Sequence, residues 1–347
     1  MTSFTAKSLR VTFILSGSST FSNGSNVITI TGLRTRCEIQ SMQFPAFPEA
    51  SIDIFGMLAA DMNTLTDYEN HVLAVTRNSI IVEANAGTGW TTVFAGQIIS
   101  ASPTYERQPD VALHVTGRVL YYESVATTAP TSYTGTTDVA TIISGLALRI
   151  GAAFENDGVS QSLSNPYFPG TIVDQIKACA THANIALYFD YGPAGPASST
   201  AATTLPPIRI IIAPKGQPRS TPVATLTAQS GLVSSPTLDS RGWIFTRAYY
   251  DASFRFGGTV TISGSILPRA NGTWNILQLT HYLDAVAPDG NWFSDMQLCP
   301  PGFFPYTQRR TTTARRTRDR IRAPRMRSHS CSSGSWLACA PLTSCRS

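Results

Sequence analysis

Acid–base chemistry needs a histidine or carboxyl group within hydrogen-bond reach of a partner, and this chain offers few places for it. His281, Asp284 and Asp289 fall on or beside one expected hairpin and form the best such group; the plainer reading is a polar set at a strand end. Asp61 and Asp67 flank a short helical stretch. Paired carboxylates are the apparatus of a glycosidase, but a helix cap for Asp61 and a solvated face for Asp67 and Glu69 account for the same residues. His71, His114 and His182 stand isolated among apolar neighbours, as satisfied structural residues do. Trp90, Trp243, Trp274, Trp292 and Phe293 could line a sugar groove, although aromatic residues in β-meanders more often fill cores or subunit interfaces.

The recurrent catalytic signatures are missing: there is no phosphate-binding G-x-x-x-x-G-K-[ST], no H-E-x-x-H, no G-x-S-x-G, and no G-x-G-x-x-G between a strand and a helix. Cys37, Cys179 and Cys299 are far apart, and Cys331, Cys339 and Cys345 lack C-x-x-C spacing, so free thiols are expected and a zinc site is not. The chain is therefore assigned no catalytic, cofactor-binding or metal-ligating residue. No apolar run approaches the roughly 18 residues of a membrane span, and Val11 to Leu15 is too short for a signal core.

These side chains must be held by elements, and the composition says which kind. With 347 residues, 42% hydrophobic and only 14% charged, the chain can fill two or three cores, while scarce Lys and Glu favour strands over helices. Strands are expected at 8–16, 27–31, 33–42, 50–56, 71–75, 79–85, 91–100 and 111–118, with a short helix over 57–68. The pattern changes near residue 125. Thr136-Thr137-Asp138 can cap a helix through Val139, Ile142, Ile143, Leu146 and Ile150, and Thr171 with Asp174 opens a second over 172–183, followed by a strand at 185–190. Gly192 to Pro206 reads as a linker, after which Ile208, Ile210 and Ile212 restart strands leading into a meander over 241–296, broken at Gly257-Gly258, Asn271-Gly272 and Asp289-Gly290. The expected architecture is mainly β: a first small β-barrel over 1–124, an α+β insertion over 125–191, the linker 192–206, a second small β-barrel over 207–302, and a disordered basic tail over 303–347.

The body resembles a known family. Tyr249-Tyr250-Asp251, Phe254-Arg255-Phe256-Gly257-Gly258, Gly272-Thr273-Trp274 and Pro288-Asp289-Gly290-Asn291-Trp292-Phe293 are similar to the closing segment of baseplate hub proteins from contractile-tailed bacteriophages. Ile54-Phe55-Gly56-Met57, Val93-Phe94-Ala95-Gly96-Gln97-Ile98 and Gln108-Pro109-Asp110-Val111 extend the resemblance to residues 5–298. It implies a structural protein and not an enzyme: a homotrimeric ring in the virion's tail baseplate, assembled in the bacterial cytoplasm. Its implied partners are the tail tube, central spike, wedge proteins and tape measure protein, with DNA only passing through the lumen. A tail-associated carbohydrate-active or lytic enzyme is the alternative. Two strand, Pro-Asp, strand units (93–116 and 274–297) could be a duplication giving a trimer pseudo-sixfold character, or ordinary hairpin chemistry. In a ring, the 125–191 insertion is expected to lie outside and to tolerate alteration.

Charge is unevenly spread. Residues 303–347 hold ten Arg and one acid, net +9, so residues 1–302 carry 16 bases and 20 acids, net −4. The tail reads as a solvated extension, a phosphate-binding arm or the product of a different reading frame.

Overall fold

The computed structural model describes residues 7–42, 46–66, 77–87, 89–107, 110–191, 200–227 and 229–302. The chain divides into Met1–Pro305 and Tyr306–Ser347, and every described residue lies in the first unit. The expected strand at 71–75, Asp67, and the tail 303–347 fall outside the described residues.

The first strands are β1 (Ser8–Ile14), β2 (Val27–Thr31), β3 (Thr35–Met42) and β4 (Glu49–Phe55), then helix α1 (Ala59–Leu65) and strands β5 (Ser79–Asn85), β6 (Trp90–Arg107) and β7 (Asp110–Arg118). A one-turn helix α2 (Tyr121–Val125) leads to β8 (Thr131–Ser132), β9 (Thr136–Asp138), helix α3 (Val139–Arg149), β10 (Ala153–Asn156), β11 (Ser162–Ser164) and β12 (Tyr167–Phe168). Helix α4 (Ile172–Ala183), β13 (Ile185–Tyr191), β14 (Ile208–Pro214), β15 (Ala224–Leu226), β16 (Thr237–Leu238) and β17 (Ile244–Tyr249) follow. The last strands are β18 (Thr259–Ile262), β19 (Gly272–Ala285) and β20 (Trp292–Cys299).

The protein is mostly β, as composition and alternation require. The two expected barrels are not what the strands build. Thirteen of them form one open sheet along the path β16-β17-β20-β19-β3-β4-β7-β6-β5-β1-β2, with β15 and β18 joined to it through β19. The long strand β19 explains this. It pairs with β18 at its start, with β20 along its middle, and with β3 from Gln278 to Ala285, so the N-terminal and C-terminal strands share one hydrogen-bonded ladder. The two Pro-Asp hairpins, β6–β7 and β19–β20, flank the central β3–β4 pair.

Ile208–Pro214 does not restart the large sheet. It becomes the central strand of a three-stranded sheet, β10-β14-β13, parallel to β10 and antiparallel to β13. Ile185, Leu187, Phe189, Ile210 and Ile212 belong to the core shared with β1 to β7 and helices α3 and α4. Ala186, Tyr188, Ile211 and Ala213 belong to a second core shared with β17 to β20. A strand apolar on both faces is buried on both, so this sheet is a wedge between two cores.

Local signals were obeyed where their partners are close in sequence. Thr171 and Asp174 form the expected capping box, and Asn184 closes α4 at φ 54°. Asp138 caps α3. Helix α1 has Leu58 at its N-cap without a side-chain bond, so Asp61 is no cap; its carboxylate instead accepts from the backbone N–H and the hydroxyl of Ser22 at 2.7 and 2.9 Å, tying the β1–β2 loop to the helix. The described end of the linker is likewise fastened: the Thr200 carbonyl accepts from Arg10 at 2.8 Å.

Candidate functional surface

The candidate acid–base group is taken apart by strand geometry. His281 and Asp284 are three residues apart on β19, so their side chains leave opposite faces. His281 is 7% exposed, hydrogen-bonds Ser294 Oγ through Nδ1 at 2.8 Å, and lies edge-on to Tyr250. Asp284 accepts from the Asn291 backbone N–H, and Asp289 holds the turn at φ 55°. Cys37, Cys179 and Cys299 are buried; burial pushes the thiols of Cys179 and Cys299 up to about 12 and about 11, which keeps both protonated at neutral pH.

The other candidates are equally dispersed. Trp90 stacks under Arg10, Trp243 under Arg241, Trp274 donates to the Ala270 carbonyl, and Trp292 is buried against Tyr250, so they line no common groove. His182 is exposed at the end of α4, with its ring 5.8 Å from Phe168. His114 is not isolated: its Nδ1 meets Asp53 Oδ1 at 2.7 Å across β4 and β7, and Nε2 approaches Thr116 Oγ1 at 3.4 Å. That trio is part-exposed on the sheet, with the His114 and Asp53 side chains 40% and 39% exposed. Among the described residues no three His, Cys, Asp or Glu are grouped to hold a metal ion, and no helix is long and apolar enough to cross a membrane.

What the fold does assemble is a continuous surface. Along the path from β17 to β6, seven strands place residues in register on the face opposite the core. One row reads Arg247, Asp295, Thr280, Gln40, Glu49, Arg118, Gln97, and the next Tyr249, Phe293, Tyr282, Glu38, Ser51, Thr116, Ser100. Within the first, Arg247 grips Asp295 through two bonds of 2.6 and 2.7 Å. A third row, Asp284, Arg36, Asp53, His114, brings the acids of these rows to five against three arginines, so the face is mildly acidic. The alternation along each strand was legible; the seven-strand row was not, because β3–β19 pairing joins residues more than 230 positions apart.

Burial and the Arg255 guanidinium hold the His281 imidazole down to about 3, against an ordinary value near 6.5. The folded protein thus keeps His281 neutral while the unfolded chain takes up a proton below about pH 6.5, so this contribution to stability is full above that pH and falls as the pH drops toward 3. We expect urea unfolding to show a loss of roughly 2–3 kcal/mol from this group between pH 7 and pH 4.5, which His281→Gln should flatten. An unchanged pH slope in that variant would refute the assignment.

Comparison with known proteins gives the family. The family model described as Baseplate hub gp41 matches residues 8–194, which is 187 of 347 residues. The chain belongs to that family. Among solved structures, it is similar to a tail protein from Neisseria meningitidis MC58, with TM-score 0.55 and 11% identity over 85% of this chain and 96% of that one. The Escherichia coli c3393 protein, a type VI secretion system component described as structurally similar to the T4 bacteriophage tail proteins gp27 and gp5, gives TM-score 0.53 and 11% identity over 77% and 73%. The 43 kDa tail protein of prophage MuSo2 from Shewanella oneidensis gives 0.51 and 10% over 84% and 98%. At such identities the likeness is one of fold. No curated protein matches the chain.

The Phe254-Arg255-Phe256-Gly257-Gly258 motif has a structural task within the chain. Arg255 and Arg219 both approach Asp190 of β13, at 3.7 and 2.7 Å, and Phe256 meets Tyr188 edge-on. The motif therefore fixes the wedge sheet to the C-terminal strands.

Proposed function

We propose that this chain is the hub of a contractile phage tail baseplate: a homotrimeric ring joining the tail tube to the central spike, bounded by wedge proteins, whose lumen passes the tape measure protein and then DNA. The observation that carries the reading is the single seven-strand face running through both β regions, in a chain of the baseplate hub family. Such a face suits the wall of a channel. It is stiff, since its five inner strands, β20, β19, β3, β4 and β7, are each paired on both sides, and it is mildly acidic, so it repels a passing polyanion instead of holding it. The work is mechanical, requires no cofactor, and places the protein in the virion's tail baseplate after assembly in the host cytoplasm.

Mass in solution tests the ring. Three copies of 37.3 kDa make about 112 kDa, and we expect light scattering to report that species at micromolar concentration with ring-shaped particles by negative stain. A monodisperse monomer at tens of micromolar would overturn the ring.

A further inference from the structure

A cavity of about 40 Å³ lies where the N-terminal strands, the wedge sheet and the C-terminal strands meet, among the buried Phe94 of β6, Phe189 of β13 and Leu279 of β19. Its apolar lining carries an unequal set of charges. Arg219 and Arg255 both line it, and Asp190 is the one carboxylate beside them among the described residues. Arg219 is 6% exposed and spends one nitrogen on Asp190 at 2.7 Å and another on the Phe256 carbonyl at 3.4 Å. Arg255 is less well supplied. The carboxylate it meets is the same Asp190, at 3.7 Å, beyond hydrogen-bond distance.

The neighbouring carboxylates have other work. Glu155 pairs with Arg209, Asp157 accepts from the Ser220 backbone N–H at 2.8 Å, and Asp251 accepts from the Ser253 backbone N–H at 2.7 Å. His281, also on the lining, is kept neutral by burial and by Arg255, so it neither adds to the charge nor cancels it. Two guanidinium groups therefore share one carboxylate in apolar surroundings, and the surplus positive charge is costly to bury unaccompanied. The size of the cavity limits what can accompany it. A water in a protein cavity takes about 10–15 Å³, so there is room for about three, or for a halide ion with a water, and not for a hydrated phosphate.

We infer that this cavity binds a small monovalent anion of the size of chloride, held between the guanidinium groups of Arg219 and Arg255 where the wedge sheet meets the strands on either side. Ser41, on the same lining, offers a neutral hydroxyl donor, and Arg255, with its side chain 20% exposed, gives the ion its way in from solvent. The bound ion offsets the surplus charge and is absent from the unfolded chain, so it stabilises the fold by mass action. The Phe254-Arg255-Phe256-Gly257-Gly258 motif thus brings an anion ligand to the junction as well as a packing surface. The site stands apart from the hub reading and does not depend on a ring.

The test follows the thermal midpoint of the full chain while sodium gluconate is replaced by sodium chloride at constant ionic strength. Gluconate is too large to enter. The wild type is expected to gain several degrees and then to saturate, with bromide acting as chloride does. Arg255→Gln removes the less firmly held guanidinium and leaves the Arg219–Asp190 pair; it should bind chloride at least tenfold more weakly, so the gain vanishes at concentrations that saturate the wild type. Arg241→Gln, at a side chain 60% exposed, should keep the whole gain. Broadening of the chloride NMR signal gives a measure that needs no unfolding: the wild type should broaden it more than Arg255→Gln does, since the arginines of residues 303–347 are common to both. A midpoint that follows ionic strength whichever anion is present, or a chloride gain that survives in Arg255→Gln, would overturn the inference and leave the cavity to water. Should Arg255→Gln fail to fold, the wild type decides alone, because equal midpoints in chloride and gluconate overturn the site.

Discussion

Glu83→Ala is expected to lower the unfolding free energy by roughly 3–5 kcal/mol, a large share of what a domain possesses. Glu83 and Arg10 face each other on paired strands β5 and β1 and meet through two bonds of 2.7 and 2.8 Å, with both side chains about 5% exposed. Arg10 also donates to the Thr200 carbonyl and stacks on Trp90, while Glu83 accepts from the Ala202 backbone N–H at 3.4 Å. Removing the carboxylate leaves a guanidinium in a place water does not reach and takes away the Ala202 bond at the end of the linker. Most of the loss comes from that stranded charge, so the paired change Arg10→Met with Glu83→Leu should recover a large part of it. Urea titration of the three proteins decides the matter. A loss below 1 kcal/mol in Glu83→Ala would mean that the pair is hydrated in solution and that its burial has been misjudged.

The same pair shows what the sequence reveals and what it withholds. Arg10 and Glu83 sit at alternate positions of strands that were plain from their period, and Ser79–Asn85, Val27–Thr31 and Ile172–Ala183 fall where alternation or capping placed them. That two charged residues point inward was not legible, because only the β1–β5 register puts one opposite the other. Asp61 failed for a similar reason. Its position at a helix start suggested a cap, but Ser22, from a loop 39 residues earlier, takes both of its oxygens.

Larger misreadings trace to pairings that span most of the chain. Ile208 to Ala213 is apolar at nearly every position, which marks a strand buried on both faces, yet neither its parallel partner β10 nor the wedge it completes can be inferred from local pattern. The β3–β19 ladder joins the N-terminal and C-terminal strands into one sheet, and nothing in Thr35–Met42 announces a partner near residue 280. His281 and Asp284 were separable in principle. On a strand, a spacing of three puts two residues on opposite faces, so the period of β19 alone separates the pair.

Gly257→Ala is expected to cost roughly 2–5 kcal/mol, and the reason joins backbone to packing. Gly257 sits at φ +76°, where its N–H donates to the Ile276 carbonyl and its own carbonyl accepts from Arg219. A Cβ built there would lie 2.3 Å from Cε1 of Tyr188. That ring cannot step aside, since Tyr188 is buried in the second core and packed edge-on to Phe256 at 5.5 Å. Two costs therefore add: the left-handed backbone, about 1–2 kcal/mol for a residue with a Cβ, and the overpacked ring, about 1–3 kcal/mol. Gly264 separates them, because it has φ +67° and nothing within 4 Å of its Cβ position. Gly264→Ala should show the backbone cost alone. Placing Tyr188→Ala in the Gly257→Ala background should remove the steric part, so the double variant loses less than the sum of the two single losses, a coupling that thermal or urea unfolding resolves. Equal losses for Gly257→Ala and Gly264→Ala would show that the wedge sheet can move away from the C-terminal strands, and the rigid junction between them would have to be given up.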